Sequence, residues 1–330
     1  MSALLEVRGL SVHIPVPPHT LRAVDGVSFD LARGETLGLV GESGSGKTMT
    51  ALALMRLLEP PLSDLPTGQV RLEGQELMCL SEREMAGLRG RVLSMVFQEP
   101  MTSLNPVMSV GAQISEPLRR HMGMGRAAAL RRAEEMLALV GIPEPARVAR
   151  GYPHQLSGGM RQRAMIAAAL ACRPSLLIAD EPSTALDVTV QAQLLELLAG
   201  LQRDFGTAML LITHDLAVVA ETAHRVAVMY AGRIIETGPV AAIFAHPRHP
   251  YTRGLLASIP RIERQRASAL HEIHGMVPSA AERPAGCAFA ARCPRAVPHC
   301  WEEPPALEAA EPKVLEESGH FVACWRHADG

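Results

Sequence analysis

Gly41-Glu-Ser-Gly-Ser-Gly46-Lys47-Thr48 is the stretch that decides the fold, because it places a glycine-rich turn between a predicted strand and a predicted helix. It fits the pattern G-x-x-x-x-G-K-[ST] of a phosphate-binding loop. Glycines let backbone N–H groups turn inward around phosphate oxygens, and the following helix adds its positive dipole end. Lys47 is expected to reach the β- and γ-phosphates, and the Thr48 hydroxyl to bind Mg²⁺. We therefore predict a nucleotide-binding site formed by Gly41, Glu42, Ser43, Gly44, Ser45, Gly46, Lys47 and Thr48.

A second predicted strand runs from Leu176 to Asp180 and is followed by Glu181. The Asp180 carboxylate suits Mg²⁺, whereas Glu181, one residue further, points elsewhere and is placed to accept a proton from an attacking water. By itself, an apolar strand that ends in Asp-Glu is more often a capped strand end than a site. Beside a phosphate-binding loop, the functional interpretation is favoured.

Strands and helices alternate along most of the chain, which predicts an α/β fold with a parallel sheet. Helical patterns interrupt this alternation from about residue 81 to residue 149. The amino-acid composition changes again after about residue 245, where Pro, His and Cys become frequent. We place one domain at residues 1–245, with a helical subdomain at about 99–163, and a C-terminal extension at residues 246–330.

Composition excludes several functions for the 330-residue chain. The 32 basic and 34 acidic residues nearly balance, and only 3% of residues are aromatic, so a protein that coats nucleic acid is disfavoured. No apolar run approaches the ~20 residues that span a bilayer, and the N-terminus lacks the pattern of a secretory signal. We expect a cytoplasmic chain without a nucleic-acid partner.

The segment Leu156-Ser-Gly-Gly-Met-Arg-Gln-Arg163 resembles the signature motif of ATP-binding-cassette (ABC) proteins. Gln98, the segment Ser183–Asp187 and His214 resemble, in the family's order, its Q-loop glutamine, D-loop and switch histidine. The resemblance implies a P-loop ABC ATPase with an inserted helical subdomain. It implies catalytic roles for Glu181, His214 and Gln98, ATP contacts for Ser157, Gly158, Gly159, Asp180 and Asp187, and Mg²⁺ contacts for Thr48, Gln98 and Asp180.

The position of the signature motif has a consequence for assembly. The resemblance implies that it lies too far from its own phosphate-binding loop to close over the same ATP, and that two cassettes dimerise head to tail, each completing the other's site. The resemblance implies that ATP binding closes this dimer and that hydrolysis reopens it. Nothing in the sequence distinguishes a homodimer from a pair of related but different ATPases.

Two further segments, residues 97–116 and 151–163, look like the oligopeptide, dipeptide and nickel importer subgroup of ABC proteins. This resemblance implies import of di- or oligopeptides, at the cytoplasmic face of a bacterial inner membrane. The partners would be a second ABC ATPase subunit, two membrane permeases and, indirectly, an extracytoplasmic solute-binding protein. The alternatives are nickel or glutathione import and a soluble, non-transport ABC ATPase. The residues expected to line a groove for a permease helix, or else to pack locally, are Pro100, Met101, Leu104 and Pro106.

Six cysteines are present. Cys79 and Cys172 are isolated and are predicted to be small buried hydrophobic residues. The other four cluster in the C-terminal extension, where a reducing compartment favours metal binding over disulfides. Their spacing is not that of a zinc ribbon, and in the importer subgroup this region is associated with a [4Fe–4S] cluster. We predict such a cluster, with zinc or no metal as alternatives, on Cys287, Cys293, Cys300 and Cys324.

Overall fold

A computed structural model describes residues 3–17, 19–58, 66–98, 103–183, 188–259, 273–278, 283–310 and 319–327. The strands are β1 (Leu5–Val16), β2 (His19–Leu31), β3 (Thr36–Val40), β4 (Thr67–Leu72), β5 (Gln75–Glu76), β6 (Leu93–Val96), β7 (Leu176–Asp180), β8 (Ala208–Thr213), β9 (Arg225–Tyr230), β10 (Arg233–Pro239), β11 (Glu308–Ala309) and β12 (Phe321–Val322).

The α-helices are α1 (Lys47–Leu54), α2 (Glu82–Leu88), α3 (Val110–Met122), α4 (Arg126–Leu139), α5 (Pro145–Arg150), α6 (Gly158–Leu170), α7 (Val188–Phe205), α8 (Leu216–Thr222), α9 (Val240–Ala245), α10 (Pro250–Ala257) and α11 (His299–Glu302). The helix predicted after the phosphate-binding loop is α1. It ends before Arg56, whose φ of +50° is left-handed and stops the helix. No helix among the described residues is long and apolar enough to span a membrane.

The described chain falls into two compact units that alternate along the sequence. The first unit comprises Met1–Leu4, Leu31–Glu35 and Cys79–Leu211. Its parallel strands β6 and β7 are buried along their whole length, as expected of apolar strands covered on both faces. Helices α3, α4 and α5 pack on one another in the region predicted to be helical, and α3 and α4 also pack on α6, which lies beyond that region.

The second unit comprises Leu5–Asp30, Thr36–Met78 and Ile212–Gly330. It holds an antiparallel sheet in the order β2-β1-β4-β5 and a second set of neighbouring strands in the order β11-β12-β10-β9-β3. Strands β3 and β9 of this set are parallel, and β9, β10 and β12 pair antiparallel. The mixed arrangement confirms the α/β class. The predicted division at residues 245 and 246 stays a prediction.

The C-terminal extension shares a hydrophobic core with the second unit's strands. Tyr251 and Phe289 are buried in the same cluster as Val40 of β3 and Val228 and Tyr230 of β9. This part of the extension therefore packs on strands β3 and β9. Its larger apolar side chains elsewhere stay half exposed: Trp301 is 50%, Trp325 40% and Phe321 39% exposed.

The two isolated cysteines differ in environment. Cys172 is buried, as predicted, and burial raises the pKa of its thiol. Cys79 is exposed, so the prediction that it is buried was wrong. It lies in the turn between β5 and α2, and connecting segments run over the protein surface because buried turns would leave backbone polar groups without partners.

Candidate nucleotide-binding site

The phosphate-binding loop lies between β3 and α1, as the sequence predicted, and close packing requires glycine at two of its positions. Gly46 caps α1 with a φ of +103°, a left-handed value that favours glycine. A Cβ atom on Gly46 would overlap the carbonyl oxygen of Ala23, and one on Gly41 would overlap the carbonyl oxygen of Met229. Neighbouring backbone thus fixes the path of the loop, and any larger residue at these two positions would displace it.

Lys47 is buried inside the loop that precedes it. Its Nζ donates hydrogen bonds to the carbonyl oxygens of Gly41, at 2.7 Å, and Glu42, at 2.9 Å. It also lies 3.4 Å from Oγ of Ser45, which is itself fully buried. Ser43 and Thr48 are exposed at the surface of the loop. The arrangement leaves an ammonium group among backbone dipoles, with hydroxyl groups at the solvent side, which is an environment for an anionic phosphate.

Glu42 is held by two residues of the C-terminal extension. Its backbone N–H donates to Oη of Tyr251 at 2.8 Å. Its carboxylate accepts two hydrogen bonds from the Arg292 guanidinium, at 2.8 and 3.1 Å. Neither contact was predicted from the sequence. Tyr251 stands in an alternation of His, Pro and aromatic residues, and Arg292 precedes a cysteine, but neither pattern indicates a contact with a loop more than 200 residues away.

In the first unit, the ends of two adjacent parallel strands bring Gln98 and Glu181 together. Gln98 follows β6, Asp180 ends β7, and the carboxyl ends of parallel neighbours lie at the same edge. Nε2 of Gln98 donates to Oε2 of Glu181 at 3.3 Å. Asp180 is buried, and Glu181 is partly exposed with a left-handed φ of +45°. A non-glycine residue in this region carries strain, and such strain clusters at functional sites.

The signature motif forms the start of α6. Ser157 is the N-cap, and its Oγ accepts a hydrogen bond from the backbone N–H of Met160 at 3.3 Å. Ser157 and Gly158 are exposed, and Gly159 is partly exposed. Gln162, buried on the same helix, donates from Nε2 to the carbonyl oxygen of Pro182. The motif therefore presents a helix N-terminus to solvent, and its helix is tied to the segment that follows Glu181.

His214 follows β8 in the second unit and is exposed. The next residue, Asp215, caps α8 by accepting hydrogen bonds from the N–H groups of Ala217 and Val218. A capped helix thus fixes the backbone just beyond His214. Asp187 lies outside the described residues, as do Pro100 and Met101. Of the predicted groove residues that are described, Pro106 is exposed, and Leu104 is buried, which fits local packing for Leu104.

The four cysteines of the C-terminal extension line one small cavity. It has a volume of about 20 Å³, room for about one water molecule, and Phe289 and Trp325 also line it. Burial raises the pKa of the Cys287 thiol to about 11 and raises those of Cys293 and Cys324 as well. In the part of the chain that the structure describes, no group of three or more His, Cys, Asp or Glu side chains is arranged to hold a metal ion. The four thiols suit a cluster chemically, although the cavity between them is smaller than a cluster.

Two family comparisons cover the loop, the signature motif and most of the C-terminal extension. Residues 24–184 match the ABC transporter family, and residues 235–300 match the oligopeptide/dipeptide transporter C-terminal region. The chain is 53% identical, over 98% of its length and 95% of the other protein, to the "Probable peptide ABC transporter ATP-binding protein y4tR" of Sinorhizobium fredii. The chain belongs to the ABC transporter family. It is also 48% identical to the oligopeptide transport ATP-binding protein AppD of Bacillus subtilis, over all of this chain and 98% of that protein.

A solved ABC cassette supports the same conclusion for the fold. It is a dimeric ATP-binding cassette in a post-hydrolysis state with ADP and phosphate bound, with a TM-score of 0.64 and 26% sequence identity. The match covers 72% of this chain and 98% of that chain. The predicted ABC ATPase fold is therefore confirmed, and the chain is an ABC-type ATPase.

Proposed function

We propose that this ABC ATPase energises the import of di- or oligopeptides from the cytoplasmic side of a bacterial membrane. The similarity to proteins named for peptide and oligopeptide transport extends over the whole chain, including the C-terminal region that carries the family's oligopeptide/dipeptide description. The observation that carries the ATPase part is the buried Lys47, enclosed by the carbonyl groups of its own glycine-rich loop. Nickel or glutathione import and a non-transport role are less favoured alternatives.

The glycine-rich loop is proposed to bind the phosphates of ATP. Lys47 and the N–H groups of the loop hold the β- and γ-phosphates. The other residues that form the loop are Gly41, Glu42, Ser43, Gly44, Ser45 and Gly46. Mg²⁺ prefers oxygen ligands, which the hydroxyl of Thr48, the amide of Gln98 and the carboxylate of Asp180 can supply. When bound, Mg²⁺ neutralises developing charge on phosphate oxygens.

Hydrolysis depends on a proton acceptor. Glu181 is proposed as the base that takes a proton from the attacking water, because its carboxylate is partly exposed and oriented by the Gln98 amide. His214 is proposed to contact the γ-phosphate from the end of β8. These roles rest on positions at strand ends, where parallel sheets present their catalytic side chains.

A second cassette completes the site in this proposal. The exposed N-terminus of α6, with Ser157, Gly158 and Gly159, supplies N–H groups and a hydroxyl to the γ-phosphate of the partner's ATP, and Asp187 belongs to the same interface. The dimer couples to two membrane permeases, which a solute-binding protein supplies. The second ATPase is proposed to be a related but different chain.

We also propose that Cys287, Cys293, Cys300 and Cys324 bind a [4Fe–4S] cluster. Four thiols around one cavity support this assignment. Because the cavity is smaller than a cluster, binding would require the thiols to move apart and lose their protons. No step of ATP hydrolysis involves this group.

A transport experiment tests the main proposal. Deletion of the gene should abolish growth on a di- or oligopeptide that supplies an essential amino acid, and growth on the free amino acid should be unchanged. The wild-type chain should restore peptide uptake, and Lys47→Ala should not. Unimpaired uptake of labelled peptides by the deletion strain, combined with loss of nickel or glutathione uptake, would replace the peptide assignment with one of the alternatives.

A further inference from the structure

All five N–H groups of the Arg292 guanidinium donate hydrogen bonds. Nη1 and Nη2 each donate to one carboxylate oxygen of Glu42, at 2.8 and 3.1 Å. The remaining three N–H groups donate to Oη of Tyr230 and to the carbonyl oxygens of Ile273 and His274. The side chain is only 6% exposed. A planar guanidinium group that is buried and hydrogen-bonded through every N–H holds its partner rigidly. A lysine ammonium group cannot make the same set of hydrogen bonds.

Tyr251 supports the same loop residue from a second direction. Its side chain is fully buried, and its Oη accepts the backbone N–H of Glu42 at 2.8 Å. Its ring packs edge-on against Tyr230 and Phe289, with centroids 4.7 and 5.4 Å away. The Arg292 guanidinium lies 5.8 Å from the Tyr230 ring centroid and 5.9 Å from that of Phe289. Arg292 and Tyr251 therefore belong to one packed cluster in the second unit.

Glu42 joins this cluster to the lysine that is proposed to bind phosphate. Its N–H is bonded to Tyr251, its carboxylate to Arg292, and its carbonyl oxygen to Nζ of Lys47 at 2.9 Å. All the polar groups of Glu42 are thus engaged, two by the C-terminal extension and one by Lys47. A shift of Glu42 would move the first turn of the loop and the lysine with it.

We propose that Arg292 and Tyr251 are positioning residues, which hold the phosphate-binding loop in the conformation that receives nucleotide, so that ATP affinity depends on the C-terminal extension. The physical reason is pre-organisation. A loop that is already ordered loses less conformational entropy when phosphate binds, and binding is tighter by that difference. The inference rests on the proposed ATP site, since it assigns a support to that site.

The test is ATP binding by the full-length purified chain, measured with Mg-ATP by equilibrium dialysis. Arg292→Lys keeps the positive charge but loses the paired hydrogen bonds to the Glu42 carboxylate, and we expect the Kd for ATP to rise about fivefold. For Arg292→Ala we expect a rise of about tenfold. Tyr251→Phe removes only the acceptor for the Glu42 N–H, and we expect a rise of about threefold. Arg253→Ala is the matched control. Arg253 lies in the same extension, donates to the carbonyl oxygen of Pro247 and should leave the Kd unchanged.

Two further measurements separate positioning from general destabilisation. In the assembled transporter, Arg292→Lys should raise the KM for ATP about fivefold and leave kcat within about twofold, because saturating ATP restores the loop. Hydrogen exchange at the amides of residues 41–47 should speed up in Arg292→Lys and not in Arg253→Ala. A purely structural role would lower the melting temperature without changing the Kd of the folded chain.

A double-variant cycle tests the pair itself. Glu42→Gln and Arg292→Lys should each raise the Kd for ATP. The Kd of the combined variant should exceed that of either single variant by less than about twofold, because both changes remove the same interaction. If Arg292 variants fail to fold, Glu42→Gln still tests the contact from the loop side. Normal ATP affinity in Glu42→Gln and Arg292→Lys would overturn the positioning role. If the wild-type chain itself does not bind ATP, the proposed function would be overturned instead.

Discussion

Gln98 Nε2 donates a hydrogen bond to Glu181 Oε2 at 3.3 Å, and this contact orients the carboxylate that we propose as the catalytic base. The two residues are 83 positions apart in the sequence and meet because β6 and β7 are parallel neighbours. Asp180 is buried, whereas Glu181 is partly exposed on a left-handed backbone. Two adjacent carboxylates at one strand end can therefore have different functions.

Glu181→Gln should retain ATP binding and reduce hydrolysis in the assembled transporter by about 10² or more, because the amide cannot accept the proton of the attacking water. The measurement is phosphate release at saturating ATP, together with a separate binding assay. The partner cassette should carry the same change, so that its intact site does not sustain activity. Hydrolysis at the wild-type rate in this double-site variant would contradict the role of Glu181.

Lys47→Ala should abolish ATP binding at concentrations that saturate the wild type, because the loop loses its only ammonium group. The chain has one other lysine, so Lys313→Ala provides a control with the same change in composition. Equilibrium dialysis with Mg-ATP measures both. Equal affinity of the Lys47→Ala and Lys313→Ala variants would show that the nucleotide binds elsewhere.

Substitutions of Ser157 should affect hydrolysis only when a second cassette is present. Asp and Asn both make good helix N-caps, so each should preserve the start of α6. Ser157→Asp places a negative charge where the partner's γ-phosphate is proposed to lie, and we expect ATPase activity to fall at least about tenfold. Ser157→Asn should lose less, and neither should change ATP binding by the isolated chain. Strong ATPase activity of a monomer, independent of concentration, would contradict the shared site.

The sequence predicted the parts of the site that depend on local pattern. The phosphate-binding loop, the strand ending in Asp180 and the helix start at Ser157 each lie within a short segment, where chemistry and secondary structure constrain the same residues. Contacts between distant segments carry no such local signal. The bonds from Tyr251 and Arg292 to Glu42 therefore could not be predicted, and neither could the exposure of Cys79, whose surroundings depend on a turn.

A buried carboxylate should make the stability of the second unit sensitive to acid. Glu236 is fully buried and accepts hydrogen bonds from the backbone N–H groups of Arg248 and His249 and pairs with His320. Burial alone would raise the pKa of Glu236, but these hydrogen bonds lower it below its ordinary value. Its contribution is therefore present above pH ~4.5 and is lost as the pH falls through the lowered pKa.

His249 adds to this effect at higher pH. Burial lowers the pKa of His249 from 6.5 to about 4, against the opposing charge of Glu236. Between these values the unfolded chain binds a proton that the folded chain does not, so acidification favours unfolding by up to about 3 kcal/mol. Urea unfolding between pH 7 and 4.5 should show this loss. His249→Asn keeps an acceptor for the Tyr251 N–H and should flatten the profile, and an unchanged pH slope would rule out His249 as its source.

Anaerobic purification tests the four-thiol proposal. A [4Fe–4S] cluster should give a brown protein with about four irons per chain, and Cys293→Ser should lose both the colour and the iron. Cys79→Ser is the control, because Cys79 is exposed and does not line the cavity. One zinc per colourless chain would replace the iron–sulfur assignment, and a metal-free chain with a folded extension would end both.

The chain's two tryptophans both lie in the C-terminal extension, half exposed, and no other region contains one. Nε1 of Trp325 donates to the carbonyl oxygen of Glu303, and its ring lies 4.3 Å from that of His299. Intrinsic tryptophan fluorescence is therefore a local optical signal that originates entirely outside the nucleotide-binding loop and the signature helix. A change in that emission when ATP is added would show, without an attached dye, that the surroundings of these two tryptophans in the C-terminal extension have changed.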